Sequence, residues 1–306
     1  MIYTITLNPA IDRLIFLKGQ LKKRKNNRAQ KVLYDIGGKG THASYAISKL
    51  GVENLALGFA GIMNLLKFQQ VLDDKEIAHR FITTDGSTRE AVILIDPENQ
   101  GSTMVTEPSF TVSAVDKEKL KNYLAVTLTP QDMVLVAGST PEGFDLIDLA
   151  ELLQLIKTKG CFLACDLSSE ALKLAIDSGA DFIKPNELEL RELLSEKETI
   201  EEKLNEISAK VAVMIASRGD QGSICYFEGK QYQVIVPDVK EVNDTGAGDC
   251  FVGAFLATFY QTSDIEQSLM MASGCAASKV RYEDSCYFNL AEAKELKNKV
   301  RIKQQN

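Results

Sequence analysis

Histidine is nearly absent from this chain: 306 residues contain only His42 and His79. A Ser-His-Asp system or a histidine-rich metal site has little material here, so proton transfer falls to a carboxylate. His79, in Ala78-His79-Arg80-Phe81, reads as an ordinary strand-edge residue. The six cysteines, at 161, 165, 225, 250, 275 and 286, form no C-x-x-C pair. Most fall in apolar strands or helices and read as small core residues of a protein in a reducing compartment. Positive charge is not in excess either. The net charge is −7, with a pI near 5.1, which argues against nucleic-acid and membrane partners held by electrostatics. The one basic run, Lys22-Lys23-Arg24-Lys25, reads as a solvated loop. The start of the chain has no charged leader followed by an apolar stretch, and no apolar run reaches membrane-spanning length, so the expected location is cytoplasmic. Repeats and low-complexity segments are missing.

Two familiar phosphate loops are missing as well. Asp35-Ile36-Gly37-Gly38-Lys39-Gly40-Thr41-His42-Ala43 is no Walker A loop, because Leu33 stands at its first glycine position and Gly40 follows the lysine. It is not a G-x-G-x-x-G turn. Its glycines still permit close backbone approach, and its lysine suits a polar or anionic ligand.

What the chain does have is 45% apolar residues in a βα rhythm. Short apolar runs at 2–7, 55–61, 133–138, 161–166, 181–184 and 211–217 read as buried parallel strands. Helical patterns fall at 41–50, 65–75, 117–126, 146–159, 169–178 and 187–194. A hairpin around Glu228-Gly229 and three helices, at 246–260, 265–281 and 290–300, complete the chain. The alternation predicts right-handed crossovers and one α/β/α sandwich over residues 1–306. Residues 13–34 and 88–106 break the rhythm with strands of alternating polarity, the second pair joined by the turn Asp96-Pro97-Glu98-Asn99-Gln100-Gly101.

The most informative stretch is Asn243-Asp244-Thr245-Gly246-Ala247-Gly248-Asp249-Cys250-Phe251, which leads into an apolar helical run. A glycine turn that opens a helix leaves backbone N–H groups unpaired, and the helix dipole favours an anion there. Asp249 in the first turn stands beside that site. The pairing suits phosphoryl transfer to a hydroxyl: the backbone stabilises the phosphoryl oxygens while the carboxylate takes the hydroxyl proton. The same residues also suit a plain glycine turn with a helix-starting aspartate.

In this order, Asp35–Ala43, Lys184-Pro185-Asn186-Glu187-Leu188-Glu189, Ser217-Arg218-Gly219-Asp220-Gln221-Gly222 and Asp244–Asp249 resemble the ribokinase-like, or PfkB, family of sugar kinases. The resemblance runs from Thr4 to about Lys279. Thr4-Ile5-Thr6-Leu7-Asn8-Pro9-Ala10-Ile11-Asp12, with Gly37-Gly38-Lys39-Gly40, is similar to the hexose-phosphate branch of 1-phosphofructokinase and tagatose-6-phosphate kinase. The resemblance implies a ribokinase-like three-layer α/β/α sandwich with a mostly parallel central sheet. A small β-sheet lid, drawn from about 12–35 and 88–106, also serves relatives as a dimer surface, which implies a homodimer.

The implied activity is ATP- and Mg²⁺-dependent phosphorylation of a ketohexose monophosphate. Fructose 1-phosphate stands first, then tagatose 6-phosphate, then fructose 6-phosphate. A sugar-phosphate-binding regulator without turnover is the reading from another class.

By the same resemblance Asp249 is the base, and Gly246, Ala247 and Gly248 supply backbone N–H groups. Asp12, Gly37, Gly38, Lys39, Ser139 and His42 line the sugar, with Arg89 and Arg28 at its phosphate. Lys184, Asn186, Ser217, Gly219, Gly222, Asn243, Gly248 and Ser278 border the nucleotide. Asn186 and Glu189 act on magnesium through water. Three positions depart from the pattern: His42 stands where relatives have Asn, Ala91 where they often have Asn, and Thr140 where they have an apolar residue. All three fall on the sugar side.

Overall fold

The computed structural model describes residues 1–96, 102–195 and 198–305. The chain opens with β1 (Ile2–Thr6), β2 (Ala10–Leu17), β3 (Ala29–Gly37), α1 (Lys39–Lys49), β4 (Asn54–Gly61) and α2 (Leu65–Asp73). It continues through β5 (His79–Thr84), β6 (Arg89–Ile95), β7 (Ser102–Thr106), α3 (Ala114–Thr127), β8 (Met133–Ala137) and α4 (Leu146–Thr158). Next come β9 (Phe162–Asp166), α5 (Ser169–Asp177), β10 (Phe182–Ile183), α6 (Glu187–Glu192), α7 (Ile200–Ser208) and β11 (Val213–Ser217). The last elements are β12 (Ser223–Phe227), β13 (Lys230–Ile235), α8 (Ala247–Thr262), α9 (Ile265–Lys279), α10 (Leu290–Lys297) and β14 (Arg301–Gln305).

Among the described residues one large sheet has the order β14-β13-β12-β11-β10-β9-β8-β1-β4-β5. Neighbours from β11 to β5 pair in parallel, and β12, β13 and β14 extend that edge antiparallel. The parallel strands are buried on both faces, hence their apolar runs. One core layer packs side chains of α1, α2, α8, α9 and α10 on one face of the sheet. Helices α3 to α7 supply the other layer. The cysteines are all buried and free, as their apolar surroundings predict. Among the described residues no helix is long and apolar enough to cross a membrane.

A second sheet, β3-β2-β6-β7, is the expected lid. Its Leu14, Ile93 and Ile95 are buried on one face. Among the contacts between the lid and the rest of the chain is Ser102, whose Oγ is 3.2 Å from Asp244 Oδ1 and 3.2 Å from Thr245 Oγ1. The turn expected at 97–101 lies outside the described residues.

Elements the sequence reading did not anticipate are the charged helix α7, the edge strand β14 and the full length of β5. Residues 181–184 shorten to the two-residue β10. Helices α1 and α8 cross at backbone contact: a Cβ on Gly253 would lie 2.8 Å from Ala43 Cα, so only glycine lets them approach this closely. That crossing fixes the N-terminus of α1 against the N-terminus of α8.

Candidate active site

The site lies where the carboxyl ends of the parallel strands meet the heads of α1 and α8, the usual ligand edge of such sheets. Gly246 caps α8 in the left-handed region, with φ 74° and ψ 0°. A side chain there would run into the Ser285 carbonyl and come within 3.3 Å of His42 Nδ1. Asp249 follows in the first helical turn. Burial favours its neutral form, but His42, Lys39 and Lys184 together hold the carboxyl below the usual aspartate range. Lys184 is buried, and its Nζ would be 3.5 Å from a Cβ on Gly248, so its ammonium lies against the glycine turn. A carboxylate, a lysine and an open helix end thus share one spot.

Lys39 opens α1 after Gly38, whose φ of 107° only glycine adopts readily. Its Nζ pairs with Asp166 Oδ1 at 3.1 Å and Glu189 Oε1 at 3.9 Å. Burial disfavours the charge, but Asp166, Asp249 and Glu189 more than offset it, so the ammonium binds its proton more tightly than usual. Asp166 was not singled out from sequence. Its signal is its place at the end of β9, the same edge as Asp12. Asn186 and Glu189 form a reciprocal cap on α6, with Glu189 N–H donating to Asn186 Oδ1 at 2.9 Å and Asn186 N–H to Glu189 Oε2 at 2.9 Å. The Asn186 oxygen expected near magnesium is therefore spent on the cap, which leaves Glu189 Oε1 facing Lys39.

On the lid side, Asp12 is buried on β2 opposite Asp35 of β3. Gly37 lies so close to Asp12 Oδ1 that any Cβ would collide with it. Arg89 Nη2 donates to the Asn8 carbonyl at 3.1 Å and to Ser139 Oγ at 3.4 Å. Asn8 Nδ2 donates to Ser139 Oγ at 3.2 Å. Burial lowers the Arg89 pKa, and Asp12 partly restores it. Among the described residues Asn8 Oδ1, Asp12 Oδ2 and Arg89 Nε are buried with no hydrogen bond. Such atoms are expensive to leave unpaired unless a ligand completes them.

His42 bridges the two groups. Its Nδ1 is 2.7 Å from Asp249 Oδ2, and its Nε2 is 2.9 Å from the Ile36 carbonyl and 3.5 Å from Asp12 Oδ2. The ring is buried rather than open to a sugar, contrary to the sequence expectation. Burial alone would lower its pKa, but Asp12 and Asp249 overcome that and push it up to about 10.

Several expected residues are not brought to this spot. Arg28 is exposed, just before β3. It is separated from Gly37 by about 30 Å of extended strand. Asn243 is buried, and its amide is spent inside the fold: Nδ2 donates to the Glu283 carbonyl at 2.8 Å, and Oδ1 accepts from Thr245 N–H at 3.0 Å. Ser278 is fully buried, its hydroxyl donating to Glu292 Oε2 at 2.5 Å. Ala247 N–H donates to the Asp244 carbonyl at 3.1 Å, so it closes the turn rather than pointing at a ligand. Ser217 and Gly219 do lie at the strand-end loop after β11, beside Asn186, with which Ser217 forms a bridge. Gly222 has φ 84°, and any Cβ there would strike the Val234 carbonyl.

An α/β sandwich with a lid, a glycine-opened helix and a held carboxylate is the equipment of a kinase that phosphorylates a hydroxyl. The family model described as pfkB family carbohydrate kinase matches residues 5–291. The chain belongs to the pfkB family of carbohydrate kinases, phosphotransferases with a hydroxyl acceptor. It is similar to tagatose-6-phosphate kinase of Staphylococcus epidermidis, with 26% identity over 99% of each chain. A crystal structure from Staphylococcus aureus, provisionally named a phosphofructokinase, is 28% identical, covering 100% of this chain and 99% of that one, with a TM-score of 0.82. Phosphofructokinase-2 of Escherichia coli in complex with fructose-6-phosphate shares the fold, with a TM-score of 0.88 at 22% identity over 97% of this chain and 98% of that one. The same enzyme also has a structure of a tetrameric inhibited form.

Proposed function

We propose that the chain transfers the γ-phosphoryl group of ATP to a ketohexose monophosphate and yields the bisphosphate. The observation that carries this reading is the set of buried polar atoms without a hydrogen bond, Asn8 Oδ1, Asp12 Oδ2 and Arg89 Nε, beside His42, which lies 3.5 Å from Asp12 and 2.7 Å from Asp249. A polyol phosphate supplies hydroxyl donors for the two oxygens and an anion for the guanidinium. Its reacting hydroxyl gives its proton to Asp249 as the oxygen attacks phosphorus, and the bond to the leaving ADP breaks. Lys184 and the Gly248 N–H offset charge on the phosphoryl oxygens, and Lys39 lies beside them. Glu189, whose Oε1 the cap does not use, would hold magnesium through water, with Asn186 keeping that glutamate in place; the ion would neutralise phosphate charge. The held carboxylate argues for turnover over a binding-only regulator.

Fructose 1-phosphate is the first substrate, on the Asn-Pro-x-x-Asp start and the Gly-Gly-Lys-Gly loop. Tagatose 6-phosphate is second, favoured by the 26% identical relative named for it. ADP release measured with ATP and separate fructose 1-phosphate, tagatose 6-phosphate and fructose 6-phosphate tests the reading. Turnover with none of them rejects it. The exposed lid face is proposed to pair two copies of the chain.

A further inference from the structure

We propose that His42 is a positioning residue for Asp249, a buried ring anchored on the Ile36 carbonyl between the base and Asp12 that holds the Asp249 carboxylate ionised and aimed. The inference deepens the kinase reading above and rests on it. The argument starts from hydrogen-bond capacity. Nε2 faces only acceptors, the Ile36 carbonyl at 2.9 Å and Asp12 Oδ2 at 3.5 Å, so it carries a hydrogen. Nδ1 faces Asp249 Oδ2 at 2.7 Å. A neutral ring would then turn a lone pair on a carboxylate oxygen. One extra proton must sit between Nδ1 and Oδ2.

The surroundings decide which atom keeps it. Asp249 also faces Lys39 on α1 and Lys184 after β10, both of which favour its anion. The ring faces Asp12 on β2 and Asp249 on α8, with Asp35 of β3 nearby. Asp35 is itself paired with Lys75 at 3.1 Å, and Asp12 is near Arg89 of β6. The proton stays on the ring, in line with the upward shift of His42 to about 10.

Two consequences follow. Asp249 Oδ2 is occupied, so Oδ1 is the atom that meets the substrate hydroxyl. In the reaction the substrate O–H bond breaks toward Oδ1, an O–P bond forms, and the P–O bond to ADP breaks. His42 keeps both its protons, and the one gained by Asp249 leaves to solvent. The second consequence is that the base is anchored through one ring to the Ile36 carbonyl, with Asp12 beside that ring at 3.5 Å.

The test compares wild type with His42→Gln in the full chain, following kcat against pH at saturating ATP and sugar phosphate. Loss of the neighbouring cation should move the acid limb of kcat upward by about one pH unit or more, while KM for ATP stays within about twofold. A uniform fall in kcat with the acid limb unmoved overturns the proposal. If the variant does not fold, ¹⁵N-histidine NMR of the wild type decides, with His79→Gln to assign the second ring. Both ring nitrogens of His42 should be protonated at about pH 8. A single neutral tautomer there overturns the proposal. Asp249→Asn separates the two levels. If it keeps near-wild-type kcat, the base assignment itself falls. If it is inactive and His42→Gln leaves the acid limb unmoved, only the role of His42 falls.

Discussion

Asp249 carries its charge at the head of α8 against the cost of burial, which cations at His42, Lys39 and Lys184 offset. Removing the charge while keeping the shape isolates its chemical role. Asp249→Asn should lower kcat by roughly 10²–10⁴, the usual worth of a placed base, with KM for both substrates nearly unchanged. Steady-state kinetics check this, and near-wild-type turnover would sink the assignment. Arg89 is tied to Asn8 and Ser139 by its Nη2 and keeps its Nε unspent. Arg89→Ala should raise KM for the sugar phosphate roughly 10–100-fold and leave KM for ATP fixed, since a charged hydrogen bond is worth about 1.5–3 kcal/mol. Equal shifts in both constants would mean that the guanidinium does not face the substrate. At this scale the sequence was informative for the glycine turn at Gly246 and for Asp249 in the first turn of α8, both of which the structure places at the head of that helix. It was silent on Asp166 and on the burial of His42, because tertiary packing alone decides which polar side chains meet. Packing likewise decides that Asn243 and Ser278 spend their side chains inside the fold, on the Glu283 carbonyl and on Glu292, which spacing does not reveal.

The segment leading into α8 is held by a buried ammonium. Lys279, at the end of α9, donates from Nζ to the Asn243 carbonyl at 2.7 Å. Burial pushes its pKa down to about 8, opposed by the carboxylates of Asp244 and Asp284. A lysine whose folded value is depressed binds its proton less well than in the unfolded chain. Its cost to stability is therefore present below the folded value and relieved as pH rises toward the ordinary lysine value. Urea unfolding at about pH 7.5 and 9.5 should show wild type gaining roughly 1–2 kcal/mol relative to Lys279→Met, whose curve lacks this proton. Parallel pH dependence in the two proteins would mean that the ammonium is not paying for its burial. Among the elements, the strongly apolar strands and helices were readable from periodicity. Helix α7 was missed because Glu201, Glu202, Lys203 and Glu206 mask its apolar face, although Thr199 and Glu202 spell a capping box. Strand β14 was missed because Arg301-Ile302-Lys303-Gln304-Gln305 has a single apolar residue and pairs only at an edge.

As a whole, the molecule is a sandwich with a lid whose outer face stays partly bare. Strand register puts Ile15, Val32, Tyr34, Val92, Leu94 and Val105 on that face, with Val32 41%, Tyr34 48% and Val105 57% exposed. If two chains cover this face mutually, Val105→Lys should convert a dimer to a monomer in analytical ultracentrifugation at about micromolar concentration, because an unpaired charge is costly to bury. A wild-type monomer over the whole concentration range would refute the lid pairing. The lid was legible from sequence as strands that break the βα alternation, whereas its closure onto Asp244 and Thr245 through Ser102 was not, since that contact spans distant parts of the chain. The close crossing of α1 and α8 at Gly253 and Ala43 reaches further than packing. On the proposed reading it fixes the distance between the residues assigned to the sugar and those assigned to the phosphoryl group. Gly253→Ala should then lower kcat before it changes the preference among sugar phosphates, because even a Cβ there would lie 2.8 Å from Ala43 Cα and push the two helices apart.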